Sequence, residues 1–143
     1  MIQLIYSSRA TRPFTLRELD ELLAISRRNN GRLGVTGMLL HDRGSFLQVL
    51  EGNRAVVTRL YEKIARDPRH NDIRMLVTMD VEGRQFGEWS MGFYDGDRDP
   101  SSHPDGFKQV FGPDVAMSEI NPGTATRLLL SFREGALHEA VAS

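Results

Sequence analysis

Residues 45–51 read SFLQVLE, a run that is apolar on both of its alternating sets of positions. In an extended chain Phe46 and Leu50 fall on one side, and Leu47 and Val49 on the other. A sheet that is wet on one face shows apolar–polar alternation in its strands. This strand does not, so the sheet around it must be covered on both faces. Gln48 sits in the middle of the run. Its amide donates twice and accepts through oxygen, and buried without partners it would cost roughly 1–3 kcal/mol. Something is therefore expected to be bonded to it.

The order of elements says what the covers are. Residues 1–7 read as a first strand. Thr15 and Glu18 form a capping box for a helix whose Leu16, Leu19, Leu22, Leu23 and Ser26 share a face. Asn29, Asn30 and Gly31 are its expected stop. Residues 35–41 and 45–51 are two strands joined by a hairpin turn at Asp42–Gly44. Asn53 caps a second helix with Val56, Val57, Leu60, Tyr61 and Ile64 as its apolar stripe, ending near Asp67 and Pro68. Residues 73–80 are a fourth strand and residues 86–93 a fifth. A loop rich in Pro, Gly and Asp follows over 95–106, then a short helix near 107–111 and a last helix from Pro122. The order β-α-β-β-α-β predicts an α+β fold, the ferredoxin-like split βαβ sheet with a fifth strand. Two helices lie on one face. The C-terminal helices are the expected cover of the other, and a second subunit would share that work.

Charge and motifs remove several classes of function. Eighteen basic residues stand against 19 acidic ones, a net charge of −1, so no field for nucleic acid follows. There is no cysteine, which excludes disulfides and thiolate chemistry. No apolar run approaches the roughly 20 residues of a membrane helix, and the N-terminus lacks the pattern of a signal peptide. No membrane association and a cytoplasmic location are expected. His41, His70, His103 and His138 form no ligand pair, and no metal site is expected. Gly31, Gly34 and Gly37 lack the GxGxxG pattern and read as turn and packing residues.

Three polar groups in apolar surroundings remain. Tyr6 ends the first strand, Gln48 is in the third, and Asn30 follows the first helix. Singly, each has an ordinary account: a wet tyrosine hydroxyl, a glutamine bonded to a loop, a helix stop. As a set they say more. In a split βαβ sheet the first and third strands are neighbours, so Tyr6 and Gln48 can lie side by side facing the helices. A phenol and two amides between apolar helix faces suit a flat heterocycle with carbonyl and N–H edges.

Taken together, LIYSS (4–8), RNNGRLGVTGMLL (28–40), FLQVLEG (46–52), RDPRHNDI (66–73) and FGEWSMGF (86–93) closely resemble the BLUF family, blue-light sensors using FAD. The resemblance covers residues 1–93 and implies a non-covalently bound FAD, or FMN, between the two helices. It implies that Tyr6 is the photochemical electron and proton donor and Gln48 the switching amide beside the flavin. Asn30 bonds the pyrimidine edge of the ring, and Arg69 and His70 match a pair near the cofactor. Trp89 and Met91 match residues that relay the signal, though same-face core packing accounts for them equally well. Arg27, Arg28 and Arg32 read better as charge completing the helix dipole than as phosphate ligands.

Residues 1–95 are thus expected to be a flavin-binding photosensor domain. Residues 96–143 are expected to be a helical extension packed on the sheet, not an independent domain. The expected output is a reversible, red-shifted signalling state passed to an unidentified downstream protein, with no enzymatic turnover and no direct contact with nucleic acid. A homodimer is expected. The alternative is a small flavin-dependent oxidoreductase, for which no nicotinamide motif is found. A third reading is a plain interaction domain without flavin.

Overall fold

The computed structural model describes residues 1–42, 44–87, 90–95, 123, 126, 127 and 129. The chain forms β1 (Ile2–Ala10), α1 (Leu16–Leu33), β2 (Thr36–Asp42), β3 (Ser45–Gly52), α2 (Arg54–Ala65), β4 (His70–Asp80) and β5 (Gly92–Asp95). They make one mixed sheet in the order β4-β1-β3-β2-β5. β1, β2, β3 and β4 pair antiparallel, and β5 joins β2 in parallel. This is the ferredoxin-like α+β fold, with β1 and β3 as the neighbours that the sequence predicts.

The helices begin where local chemistry starts them. The Thr15 side chain accepts from the Glu18 backbone N–H, and the Glu18 side chain accepts from Thr15 N–H. The Asn53 side chain accepts from the N–H groups of Ala55 and Val56. Leu19 and Leu23 of α1 and Val57 of α2 pack on Ile2, Leu4, Tyr6, Leu39, Phe46 and Leu50 of the sheet. The opposite set of strand residues is also buried: Ile5, Met38, Leu40, Leu47 and Val49. Both faces are covered, as SFLQVLE demands. Gly123, Thr126, Arg127 and Leu129 are helical and Leu129 is buried. The rest of the expected C-terminal helices, including 107–111, lies outside the described residues.

Four boundaries differ from the sequence reading. β1 continues to Ala10 because Arg9 and Ala10 still find partners on β4, and for the same reason β4 starts at His70, not Ile73. α1 does not stop at Asn29–Gly31. It runs to Leu33 and ends on Gly34, whose φ of 68° is the left-handed cap conformation that glycine takes without a Cβ penalty. The fifth strand is not 86–93 but Gly92–Asp95. The N–H groups of Gln85 and Phe86 are taken by the Glu51 carboxylate, so they do not enter a ladder. Gly37 has a packing role that no turn signal announces. A Cβ there would sit 1.9 Å from the Val49 carbonyl oxygen, so only glycine lets β2 and β3 close at this register.

Candidate functional site

Tyr6 and Gln48 are cross-strand partners at the centre of the sheet. Both point toward the helices, and the Tyr6 hydroxyl donates to Gln48 Oε1. The other end of the amide is also engaged: Nε2 donates to the Met91 sulfur at 3.4 Å. The unexplained glutamine of SFLQVLE is thus the middle of a buried line from phenol to amide to thioether. The Tyr6 ring meets the edge of Tyr61 at 5.4 Å. Burial, and after it the Tyr61 and Asp67 charges, push the Tyr6 phenol far above its ordinary pKa, so it keeps its proton.

Tyr6 and Gln48 form the floor of a cavity between α1 and α2 that opens to solvent. Leu22 and Ser26 of α1, Ile64 of α2 and Phe14 supply its walls. Arg69 and His70 line it as the sequence reading expects. His70 is held at both ends: Nε2 donates to the Ile64 carbonyl (2.6 Å), which leaves Nδ1 to accept from the Ser8 hydroxyl (2.8 Å) in the neutral ring. Arg69 forks onto Asp67, with Nε 3.0 Å from both carboxylate oxygens and Nη2 2.5 Å from one. That bond, above all else, holds the Asp67 carboxyl below its usual pKa. The same guanidinium lies 6.0 Å over the Phe14 ring.

Asn30 does not line this cavity. It is buried on α1, and its Nδ2 donates to the Ser90 carbonyl at 2.9 Å. It is a helix-interior residue, not the helix stop that Asn-Gly suggests. Beside it, Arg27 Nε donates to the Met91 carbonyl at 2.9 Å. Arg32 lies in the last turn of α1, where the dipole favours a cation. Trp89 lies outside the described residues. Asp67, Ile64, Ser26 and Phe14 are cavity residues to which the sequence assigns no site role, although it puts Ser26 and Ile64 on the inner faces of their helices. Asp67 was visible only as a helix stop, and its place in the cavity wall depends on α2 and β4 meeting in space.

The residues fit a flat cofactor. The lining is mainly apolar, and a few polar side chains stand at fixed places in it, Tyr6 and Gln48 at the floor and Ser26, Asp67, Arg69 and His70 around it, as small-molecule sites require. A two-helix cavity on a five-stranded sheet, floored by a phenol and a carboxamide, marks a cofactor-binding α+β domain.

The comparisons narrow that class. The family described as BLUF, sensors of blue-light using FAD, matches residues 1–92. The photoactivated adenylate cyclase subunit beta of Euglena longa is 37% identical over 89 residues, covering 62% of this chain and 10% of that protein. The blue light- and temperature-regulated antirepressor BluF of Escherichia coli K12 is 35% identical over 92 residues, covering 64% of this chain and 23% of that one. The dark-state structure of BlrB, a BLUF protein, superposes with a TM-score of 0.74 at 26% identity, over 95% of this chain and 96% of that one. The chain belongs to the BLUF family of blue-light sensors that use FAD. Its cofactor is FAD, and its function is light sensing. It spans about a tenth of the length of the cyclase subunits it matches.

Proposed function

We propose that Tyr6 and Gln48 are the photochemical pair of this sensor, that Arg69 and His70 orient the cofactor, and that Asn30 supports its retention through the tie to the Ser90 carbonyl. Met91, with Trp89, carries the change outward. The observation that supports this most is the line Tyr6–Gln48–Met91, in which one amide holds both neighbours. FAD, when bound, supplies the absorption of blue light and an oxidising excited state; FMN carries the same ring and is expected to serve.

The chain's own residues do the rest. Tyr6 holds a proton whose way out is its hydrogen-bond acceptor, Gln48 Oε1. Rotation of the Gln48 amide would bring Nε2 to the phenol and Oε1 to Met91. A thioether sulfur accepts weakly and cannot donate, so the Gln48–Met91 bond is lost in that arrangement. Tautomerisation likewise changes what Gln48 offers its neighbours. The rearrangement exchanges partners without net chemistry, so it reverts in the dark. Residues 90–91 lead directly into β5, which makes that strand the element biased by the switch.

The sensor is read as non-catalytic, with output passed to a separate protein or domain. Relatives named as cyclase subunits and as an antirepressor support coupling of this kind of domain to different effectors. Residues 1–95 are read as the sensing unit and 96–143 as a packed extension. A cytoplasmic homodimer without nucleic-acid contact completes the reading.

The test is absorption of the FAD-loaded chain. Bands that shift to the red under blue light and return in the dark are expected. Yellow protein without a shift, bleached by NADH, would favour a small oxidoreductase. Failure to retain added flavin would sink both.

A further inference from the structure

Glu51 is fully buried on β3, three residues beyond Gln48 and on the opposite face of the sheet. Its carboxylate is surrounded by donors. Gln85 N–H donates to Oε2 and Phe86 N–H to Oε1, both at 2.8 Å. Gln3 Nε2 reaches Oε2 at 3.0 Å, and the Thr36 hydroxyl reaches Oε1 at 3.3 Å. Arg84, the residue before this pair, is pinned separately. Its guanidinium donates to the carbonyls of Gly34 (2.6 Å) and Glu51 (3.1 Å) and to the Thr36 hydroxyl (2.8 Å).

A charge removed from water is costly unless its oxygens are saturated with donors. Four neutral donors and a guanidinium one hydroxyl away meet that demand. What they gain for the fold is a fixed point on the connection between β4 and β5. At its far end the same connection is held by Asn30 on Ser90, and by Arg27 and Gln48 on Met91. Only the Gln48 bond depends on which way a switching amide lies. The clamp at Gln85 and Phe86 does not depend on that amide.

We infer that Glu51 is a positioning residue for signal output: its buried carboxylate fixes Arg84–Phe86 to β3, so that rearrangement of Gln48 is expressed beyond that point, in Met91 and β5. This rests on the reading of Gln48 and Met91 given above. It requires no contact between Glu51 and the cofactor cavity, since the two lie on opposite faces.

The test is E51Q in the full chain loaded with FAD, with absorption read first and backbone amide exchange second, in the dark and under blue light. Glutamine keeps the shape but replaces one oxygen with NH2. Whichever way it lies, one of the two clamped N–H groups then faces a donor. The expected result is a red shift of normal amplitude, with dark exchange at Gln85 or Phe86 at least tenfold faster. The light-minus-dark exchange change, expected in the wild type to begin beyond Phe86, should spread back to 84–86. A merely structural clamp would speed dark exchange without moving that boundary, and that result would overturn the inference. So would amides at 85 and 86 as slow as in the wild type, or a folded variant that has lost its shift. If E51Q does not fold, the wild type still decides: Gln85 and Phe86 amides that respond to light as strongly as Met91 would end the proposal. A wild-type sample with no shift at all would remove the underlying reading and the inference with it, whereas the other failures leave that reading standing.

Discussion

Tyr6 and Gln48 each satisfy the other, and that reciprocity makes single substitutions informative. Gln48→Leu fills the space but leaves the Tyr6 hydroxyl buried without its acceptor. It should retain flavin, lose the red shift, and cost roughly 1–3 kcal/mol of stability in urea titration of the flavin-free chain; a normal shift would remove Gln48 from the mechanism. Asn30→Ala severs the tie to the Ser90 carbonyl. Weaker flavin retention is expected, read as faster loss of yellow colour on dialysis. The phenol also predicts an alkaline response. Its folded pKa lies above the usual value of about 10, because burial disfavours the phenolate. The unfolded chain therefore gives up this proton first as pH rises. Stability is fully present below about pH 10 and falls above it, by at most about 1.4 kcal/mol per pH unit from this group. Tyr6→Phe should flatten that limb. Tyr61, also raised by burial, keeps part of it.

Among the elements, those with dense local signals were legible and those set by distant partners were not. The Thr15–Glu18 box and the Asn53 cap fixed two helix starts to the residue, and apolar doubling in β3 implied covers on both faces. The end of α1 misled because Asn29-Asn30-Gly31 is a stop only if nothing rewards continuing. Here Asn30 gains the Ser90 carbonyl, and Gly34 supplies the cap. The fifth strand misled because nothing near Phe86 reveals that a glutamate 35 residues earlier holds its N–H. The pairing of Tyr6 with Gln48 was legible through topology; the roles of Asp67 and Ile64 in the cavity were not. Two tests belong at this scale. Gly37→Ala forces a Cβ to within 1.9 Å of backbone, which cannot swing aside as a side chain would. It should cost at least about 1–3 kcal/mol, seen as a lower thermal midpoint. The start of α1 sets an acid limb. The Arg12 hydrogen bond, and then the Thr15 N–H, hold the Glu18 carboxyl at about 2 against an ordinary 4.5. This support is present above about pH 4.5 and is lost as pH falls toward 2. Glu18→Gln should make helicity less dependent on pH across that window, by circular dichroism.

At the scale of the molecule, the sheet divides the work. Its helix face carries the cavity, Tyr6, Gln48 and Met91. Its other face carries Ile5, Leu40, Leu47 and Val49, each at most 1% exposed. α1 and α2 pack on the first face, and the reading proposed above gives the cover of the second to residues 96–143. Side chains of this size each contribute about 1.5–3 kcal/mol on full burial. Stripping four of them to water would therefore cost an amount comparable with the whole stability of a typical domain, about 5–15 kcal/mol. A chain cut after Asp95 should for that reason either unfold or hide the bared face against another copy, as exposed apolar patches of that extent do. The expected outcome is self-association in sedimentation, with the red shift preserved in whatever fraction is folded and flavin-loaded, because the residues that line the cavity all precede the cut. A cut chain that stayed monomeric and as stable as the full one would show that the cover of the second face comes from within residues 1–95. The C-terminal extension would then be free for another task.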